Sequence, residues 1–305
     1  VNEAEKGKGE DRLLNFIETQ PDSPFLPEAF NILHTTKAFA DARAYEKLQE
    51  WAKGEQPNRT PYALAMMARL MIEREEASQL PEIFTRMGQK FSVHKIARDT
   101  QYLILQYLYD HKLLEEAEKL LNQLPEDAAK TIFMKGGLHY AKGDFWKAGE
   151  SYDKAFEALS FTKGNMEQLA AYNEFISALQ ADMPQLIKKV ESSSLLNEDT
   201  HVSLLLEKAL ALASWGSEEA IKELQNFLQK YPNHRRAADA WLSLGELALY
   251  QENTDNSLTL EALSALAKLP LTETEKERVA RLKVLLPEQA GQWAAAREAA
   301  KEYLD

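Results

Sequence analysis

The stretch from Ser217 to Gly245 reads SEEAIKELQNFLQKYPNHRRAADAWLSLG and decides how the chain folds. Its first part predicts an amphipathic helix, because apolar side chains recur at helical spacing on Ala220, Leu224, Phe227 and Leu228. Pro232 cannot continue that helix, and Asn233 favours a turn. A second apolar stripe follows on Trp241, Leu244, Gly245 and Ala248. Because Gly245 has no side chain, we expect a neighbouring helix to pack closely there.

This unit resembles the tetratricopeptide repeat, a helix-turn-helix of about 34 residues with a W-x2-L-G element and a later A-x3-F…P element. The segment Trp241–Gly245 supplies the first element, and Ala220, Leu224 and Pro232 supply the second. Ala248 stands where the family has Tyr. The resemblance implies a right-handed α-α superhelix whose inner groove, lined by the first helix of each pair, holds a peptide.

Small residues at the close-packing position of the second helices repeat along the chain. They are Ala44, Ala77, Ala117, Ala148, Ala220 and Ala296, with gaps of 33, 40, 31, 72 and 76 residues. The two long gaps each hide one degenerate repeat, so the chain is predicted to be all-α with about eight helix pairs. No alternating strand pattern interrupts them.

The predicted organisation is one solenoid over residues 10–305 after a flexible tail at 1–9. The expected repeats are 24–57, 59–91, 94–127, 128–162, 164–198, 201–234, 235–270 and 272–305. Within them, Pro81 is expected to bend or delay its helix, and Thr272 with Glu275 predicts a capping box.

Charge and composition exclude several function classes. The net charge is −12, which argues against binding to a phosphate backbone, as nucleic-acid-binding proteins are usually basic. The acidic balance allows basic partners, although solubility is the simpler explanation. The chain has no cysteine, so disulfides, zinc-thiolate sites and cysteine nucleophiles are excluded. No apolar run approaches the roughly 18 residues that a membrane span needs.

Catalytic and metal-binding patterns are also missing from the sequence. The six histidines are scattered over different repeats, without an H-E-x-x-H or H-x3-H pair. Neither a G-x-S-x-G element nor a P-loop occurs. We therefore expect a non-enzymatic protein with no cofactor and no metal site.

The candidate binding site follows from aligning the repeats on their small residues. This alignment places Tyr62, Met66 and Arg69 of one first helix in the groove, then Tyr102, Gln106 and Tyr109 of the next, then Phe133, Gly137 and Tyr140. Tyr and Met are adaptable contact residues at protein interfaces. The alternative is that these side chains seal the packing between repeats. Arg69 is the only basic residue of the set, so the family's carboxylate clamp is not expected.

A second resemblance concerns localisation. Residues 227–245 are similar to the F-x-x-x-Y-P-x-S/H-x-x-A-x-x-A pattern of bacterial envelope repeat proteins, such as outer-membrane assembly lipoproteins and the Tol-Pal coordinator, and residues 16–23 echo it. This resemblance implies an exported protein, periplasmic or associated with the outer membrane, with a cytoplasmic protein as the alternative. The start at Val1 fits removal of a leader.

The leading functional hypothesis is a scaffold that binds a peptide or protein in the groove. Two alternatives stay open: a structural segment that self-associates through its terminal repeats, or the sensor arm of a larger exported protein. The last repeat lacks a polar capping helix, which favours a homo-oligomer or further chain after residue 305.

Overall fold

A computed structural model describes residues 3–160, 164–250 and 256–304, with side chains from residue 9 to residue 303 of these ranges. Helices form all the regular secondary structure in the described part of the chain. The all-α prediction is therefore confirmed. The chain divides into two compact units, Val1–Leu159 (unit 1) and Ser160–Asp305 (unit 2).

Unit 1 begins with a lone helix, α1, and continues with four helix pairs. Their bounds are α1 Glu3–Thr19, α2 Leu26–Thr35, α3 Ala42–Lys53, α4 Arg59–Glu73, α5 Leu80–Lys90, α6 Lys95–Asp110, α7 Leu114–Leu121, α8 Ala129–Ala141 and α9 Phe145–Leu159. Short 3-10 turns precede α3 and α5, at Ala38–Ala40 and Ala77–Gln79.

Unit 2 consists of four further pairs. Their bounds are α10 Asn165–Gln180, α11 Pro184–Glu191, α12 Glu198–Ser214, α13 Glu219–Lys230, α14 Ala237–Tyr250, α15 Ser257–Leu266, α16 Glu273–Gln289 and α17 Trp293–Leu304. The helices α2 to α17 follow the eight predicted repeat ranges two by two, except that α12 begins at Glu198, three residues before the range 201–234.

Helices pack mainly on their neighbours in the chain. In unit 1 the first helices of successive pairs lie against one another, α2 on α4, α4 on α6 and α6 on α8. Unit 2 repeats this arrangement with α10, α12, α14 and α16. Second helices such as α5, α9 and α13 pack on the first helix of their own pair. Adjacent helices thus pack in pairs, and the continuous solenoid and its superhelical hand stay predictions.

In each pair whose inter-helix turn lies within the described residues, a residue in the left-handed conformation follows the first helix. These residues are Lys37, Glu75, Lys112, Gly143, Asp182, Gly216 and Gly291, with φ between 52° and 77°. The equivalent turn of the seventh pair falls in residues 251–255, outside the described residues. A 6→1 backbone hydrogen bond closes most of these turns, as from Asp144 N to His139 O at 2.9 Å. This residue is therefore a common reference point for aligning the pairs.

Most of the small residues used in the sequence alignment are buried where helices approach. Ala44, Ala117, Ala148, Ala220 and Ala296 lie in the core. At Gly245, an added Cβ would lie 3.1 Å from the Ala262 Cβ and 3.3 Å from the Leu282 Cδ1. The close approach predicted at Gly245 is therefore confirmed.

Ala77 is the exception, and its assignment was wrong. It lies half-exposed in the 3-10 turn before α5, because that helix starts only at Leu80 with Pro81 in its first turn. The delay that Pro81 predicts is confirmed, and it moves the buried side of the second pair to Leu80, Ile83, Phe84 and Met87. The alignment of the second pair on Ala77 was consequently out of register.

The N-terminal segment differs from the predicted tail. Helix α1 begins at Glu3, although a helix was expected only from Asp11. Residues 3–8 read EAEKGK, mostly strong helix formers, and burial of Leu14 and Ile17 anchors the helix that they extend. Arg59 fixes its other end by donating to the Glu18 carbonyl oxygen at 3.1 Å, since the last carbonyls of a helix lack partners within it.

Candidate functional site

The predicted site residues lie on α4, α6 and α8, three first helices of unit 1 that pack side by side. The left-handed turn residues show which positions are equivalent. Arg69, Gln106 and Gly137 all stand six residues before Glu75, Lys112 and Gly143 respectively. Tyr109 and Tyr140 stand three residues before their turns. Positions three apart share one helix face, so these residues form two parallel rows.

The same count extends both rows to residues that the sequence analysis missed. Asn31 joins the first row, and His34 and Ile72 join the second. We call the resulting set the candidate face: Asn31, Arg69, Gln106, Gly137, His34, Ile72, Tyr109 and Tyr140. Asn31, Arg69, Gln106 and Tyr140 are exposed, and the others are half-buried.

Two predicted site residues are buried and lie in the packing between helices. Met66 belongs to the core of unit 1, and its placement in the groove came from the misaligned second pair. Tyr102 is buried as well, and its hydroxyl lies 3.2 Å from Thr131 Oγ1 on α8. The alternative interpretation, that such side chains seal the repeats, therefore describes Met66 and Tyr102 in this conformation.

Two half-buried residues of the predicted site, Phe133 and Tyr62, pack against rings of neighbouring elements. Phe133 packs edge-on against the Tyr152 ring at 5.3 Å between centroids. Tyr62 stacks on Phe30 of α2 at 6.3 Å and meets the His94 ring at 5.1 Å. The Tyr62 and Phe133 rings therefore contribute to packing within unit 1, and only part of each ring is exposed to solvent.

Hydrogen bonds across the candidate face fix the first helices relative to one another within unit 1. His34 Nε2 lies 2.7 Å from Glu73 Oε1 and joins α2 to α4. The Tyr109 hydroxyl donates to the Met134 carbonyl at 2.9 Å and joins α6 to α8. Burial, with a smaller contribution from Tyr152, raises the pKa of Tyr109 above its ordinary value, so the hydroxyl stays protonated. The Tyr109 ring lies beside Gly137 of α8.

The exposed members carry the groups that a partner can reach. Tyr140 is 40% exposed, although its ring packs on Phe145 at 5.1 Å between centroids. The Gln106 amide nitrogen donates to Asp110 Oδ1 at 2.9 Å. Its side-chain carbonyl oxygen is a further acceptor on an exposed residue. The side-chain amides of Asn31 and Gln106 can both donate and accept hydrogen bonds. They therefore suit the alternating N–H and C=O groups of an extended peptide backbone. Arg69 adds an exposed positive charge to the candidate face.

The first helices of unit 2 carry a different surface that the sequence analysis did not foresee. Arg236 donates to Glu207 of α12 and to Asp239 of α14, the latter at 2.7 Å. Burial, followed by the hydrogen bond to Glu207, raises the pKa of Tyr172 to about 12. These charges bond one another, so they offer fewer free groups than the candidate face.

Further along unit 2, Arg278 of α16 holds Glu246 of α14 through two bonds of 2.9 and 2.7 Å. Such a two-pronged pair fixes the geometry of both side chains. The bonds Tyr172–Glu207, Arg236–Glu207 and Arg278–Glu246 join residues 29 to 35 positions apart, which is why local patterns did not reveal them.

The described residues contain no group of three or more His, Asp or Glu side chains placed to hold a metal ion. Among the helices described, none combines the length and the apolarity needed to traverse a lipid bilayer. No protein-family model matches the sequence, and a search of curated proteins finds no relative. Functional inference therefore rests on the geometry of the chain itself.

Proposed function

We propose that the protein is a non-enzymatic scaffold of the tetratricopeptide-repeat type, in which each unit is a right-handed α-α superhelix. Its partner is an extended segment of another protein that lies across the candidate face of unit 1. The eight helix pairs and their shared left-handed turns support the repeat assignment.

The observation that carries the proposal is the spacing of exposed polar and aromatic groups on a rigid frame. Asn31, Arg69 and Gln106 project from three successive first helices, and Tyr140 follows on the fourth. One contact per helix suits a peptide that crosses the helices. Because hydrogen bonds and buried rings already order the frame, binding does not have to order it, which preserves affinity.

The proposal predicts the result of a combined alanine substitution. Peptides that bind the wild type are first selected from a displayed random library. Arg69→Ala, Gln106→Ala and Tyr140→Ala together should then raise their Kd at least tenfold, or about 1.4 kcal/mol, as measured by calorimetry. These side chains are exposed, so the melting temperature should change little.

Unit 2 supplies a control of matched composition. Arg297→Ala, Gln180→Ala and Tyr250→Ala remove the same three residue types from exposed positions. This triple variant should bind the selected peptides as the wild type does. An unchanged Kd in the unit 1 variant, or an equal loss in both variants, would refute the candidate face.

Self-association is a second function, and it is favoured by the last helix pair. Trp293 and Tyr303 are 67% and 52% exposed, and α17 buries only Ala296 among its described side chains. A groove of about 530 Å³ between α16 and α17 is lined by Val284, Leu285 and Tyr303. Charges of both signs, Glu277 and Arg281, also line it, so a second copy of the chain can complement it.

Light scattering tests this second function directly. The molar mass of the wild type should rise from 34.6 kDa towards twice that value with increasing concentration. Leu285→Glu with Tyr303→Ala should hold the molar mass at the lower value, because a charge then lies in the apolar groove. A wild type that stays monomeric at every concentration excludes this function.

A further inference from the structure

Two histidines occupy the same position in linkers that join one helix pair to the next. His94 lies between α5 and α6 in unit 1, and His234 lies between α13 and α14 in unit 2. The Nδ1 atom of each accepts a hydrogen bond at 3.3 Å from the backbone N–H two residues later, that of Ile96 or Arg236. The imidazole of His94 therefore caps α6, and that of His234 holds the turn residue that immediately precedes α14.

The backbone around the two histidines is alike as well. The N–H of His94 donates to the Phe91 carbonyl at 2.9 Å, and that of His234 donates to the Tyr231 carbonyl at 3.1 Å. Each histidine carbonyl accepts from the residue three positions later, at 3.0 and 2.9 Å. The two linkers thus share one local structure.

A serine does the same work in an equivalent linker. Between α1 and α2, Ser23 Oγ accepts from the Phe25 N–H at 3.3 Å, and the Ser23 carbonyl accepts from the Leu26 N–H at 3.2 Å. The hydrogen bond at this linker position therefore needs an acceptor atom and does not need an imidazole. What distinguishes the two histidines is that they can gain a proton in the mildly acidic range.

Both rings are packed edge-on against an aromatic side chain. His94 meets Tyr62 of α4 at 5.1 Å and 88°, and His234 meets Phe227 of α13 at 5.4 Å and 84°. The buried Nε2 of His234 has no hydrogen-bond partner among the described residues. A positive charge on either ring would be poorly solvated in this setting.

Protonation of either histidine ring is incompatible with the hydrogen bond that its Nδ1 accepts. In the neutral ring, Nδ1 has a free lone pair that faces a backbone N–H. The imidazolium carries a hydrogen on that nitrogen, so two donors would face each other and the bond to Ile96 or Arg236 would be lost. A serine cap does not titrate and keeps its bond.

We propose that His94 and His234 make the entries into α6 and α14 acid-sensitive, because protonation of either ring removes its hydrogen bond to the backbone N–H two residues later and loosens the linker. The site is a conformational switch with one copy in each unit. It does not depend on the proposed partner binding.

The surroundings of both rings lower the pKa of the histidine. Burial lowers the pKa of His94 below its ordinary value near 6.5. Burial also lowers the pKa of His234, with smaller contributions from Arg235 and Arg236, while Asp199 of α12 acts in the opposite direction. A lowered folded-state pKa means that the unfolded chain binds the proton more tightly. The stabilisation is therefore complete above pH 6.5 and is lost as the pH falls below it towards the folded-state pKa.

The experiment compares the wild type with His94→Ser and His234→Ser combined, since Ser23 shows that serine fits this role. Amide hydrogen exchange is measured at Ile96 and Arg236 at pH 7.5 and 5.5, corrected for the intrinsic rate. We expect the wild-type opening constants to rise roughly three- to tenfold on acidification, tenfold being about the ceiling for one histidine of ordinary pKa in the open state. Those of the variant should change less than about twofold. The exposed His201→Ser serves as a control and should behave as the wild type.

An equal pH response in the wild type and the double variant would overturn the proposal. A second measurement on the wild type alone covers the case in which the variant does not fold. The amide signals of Ile96 and Arg236 should shift in NMR spectra with the titration of His94 and His234 respectively. Amide signals that stay constant while the rings titrate would overturn the proposal as well.

Discussion

Replacing Trp51 with alanine should lower the free energy of unfolding of unit 1 by about 3–5 kcal/mol, the range for removing a large aromatic side chain from a core. Trp51 is among the largest fully buried side chains of the described chain. Its ring packs edge-on against Phe30 of α2 at 5.8 Å, and its Nε1 donates to Glu18 of α1. Alanine would therefore leave a cavity and also remove a bond that holds α1.

Urea denaturation followed by circular dichroism measures this loss. Trp146→Ala is the control, because Trp146 lies in the same unit and is 54% exposed. It should change the free energy of unfolding by no more than about 0.5 kcal/mol. A loss below about 1 kcal/mol for Trp51→Ala would show that α1, α2 and α3 do not share the core described above.

Two neighbouring glycines of α8 should respond in opposite ways to alanine. An added Cβ at Gly136 would lie 2.8 Å from two carbons of the Tyr152 ring, which is too close. At Gly137 the nearest atom would be a carbon of the Tyr109 ring at 3.4 Å, an ordinary contact. Both substitutions replace a helix-interior glycine with alanine, which favours the helix by about 1 kcal/mol. The difference between their free energies of unfolding therefore isolates the effect of packing.

We expect Gly136→Ala to be less stable than Gly137→Ala by about 1–3 kcal/mol, the usual cost of overpacking a filled core. Thermal and urea unfolding of both variants give this difference. Equal stabilities would contradict the close approach of α9 to α8 at Gly136, which the buried Tyr152 side chain defines.

The sequence predicted the helix pairs because their signals are local. Prolines after second helices, small residues within them and the absence of strand patterns all act over a few residues. Thr272 illustrates this, because its side chain and that of Glu275 form the predicted reciprocal cap, with Thr272 N donating to Glu275 Oε2 at 2.6 Å. Such features do not depend on the rest of the fold.

Register within a pair was harder to predict, since the turn residue is not always glycine. Lys37, Glu75, Lys112 and Asp182 adopt the left-handed conformation at the ends of their helices. The sequence does not predict this conformation, because non-glycine residues rarely adopt positive φ. The second pair was therefore aligned on Ala77, which placed Met66 in the groove.

Prediction of the candidate face depended on that register. A shift of one residue turns a helical side chain by about 100°, so partial misalignment mixes exposed and buried positions. Of the residues predicted to line the groove, Arg69, Gln106 and Tyr140 are exposed, whereas Tyr102 is buried. Asn31 was missed because the turn that aligns α2 with the other first helices lies at Lys37, a residue type that does not indicate a left-handed conformation.

The central claim is that a partner lies across the candidate face of unit 1, and hydroxyl-radical footprinting tests it most directly. Oxidation of Tyr140 is measured with and without a selected peptide, and Tyr250 of unit 2, 64% exposed, is the internal control. The account predicts that bound peptide lowers the oxidation of Tyr140 at least threefold and leaves Tyr250 unchanged. Protection of Tyr250 with no change at Tyr140 would contradict it.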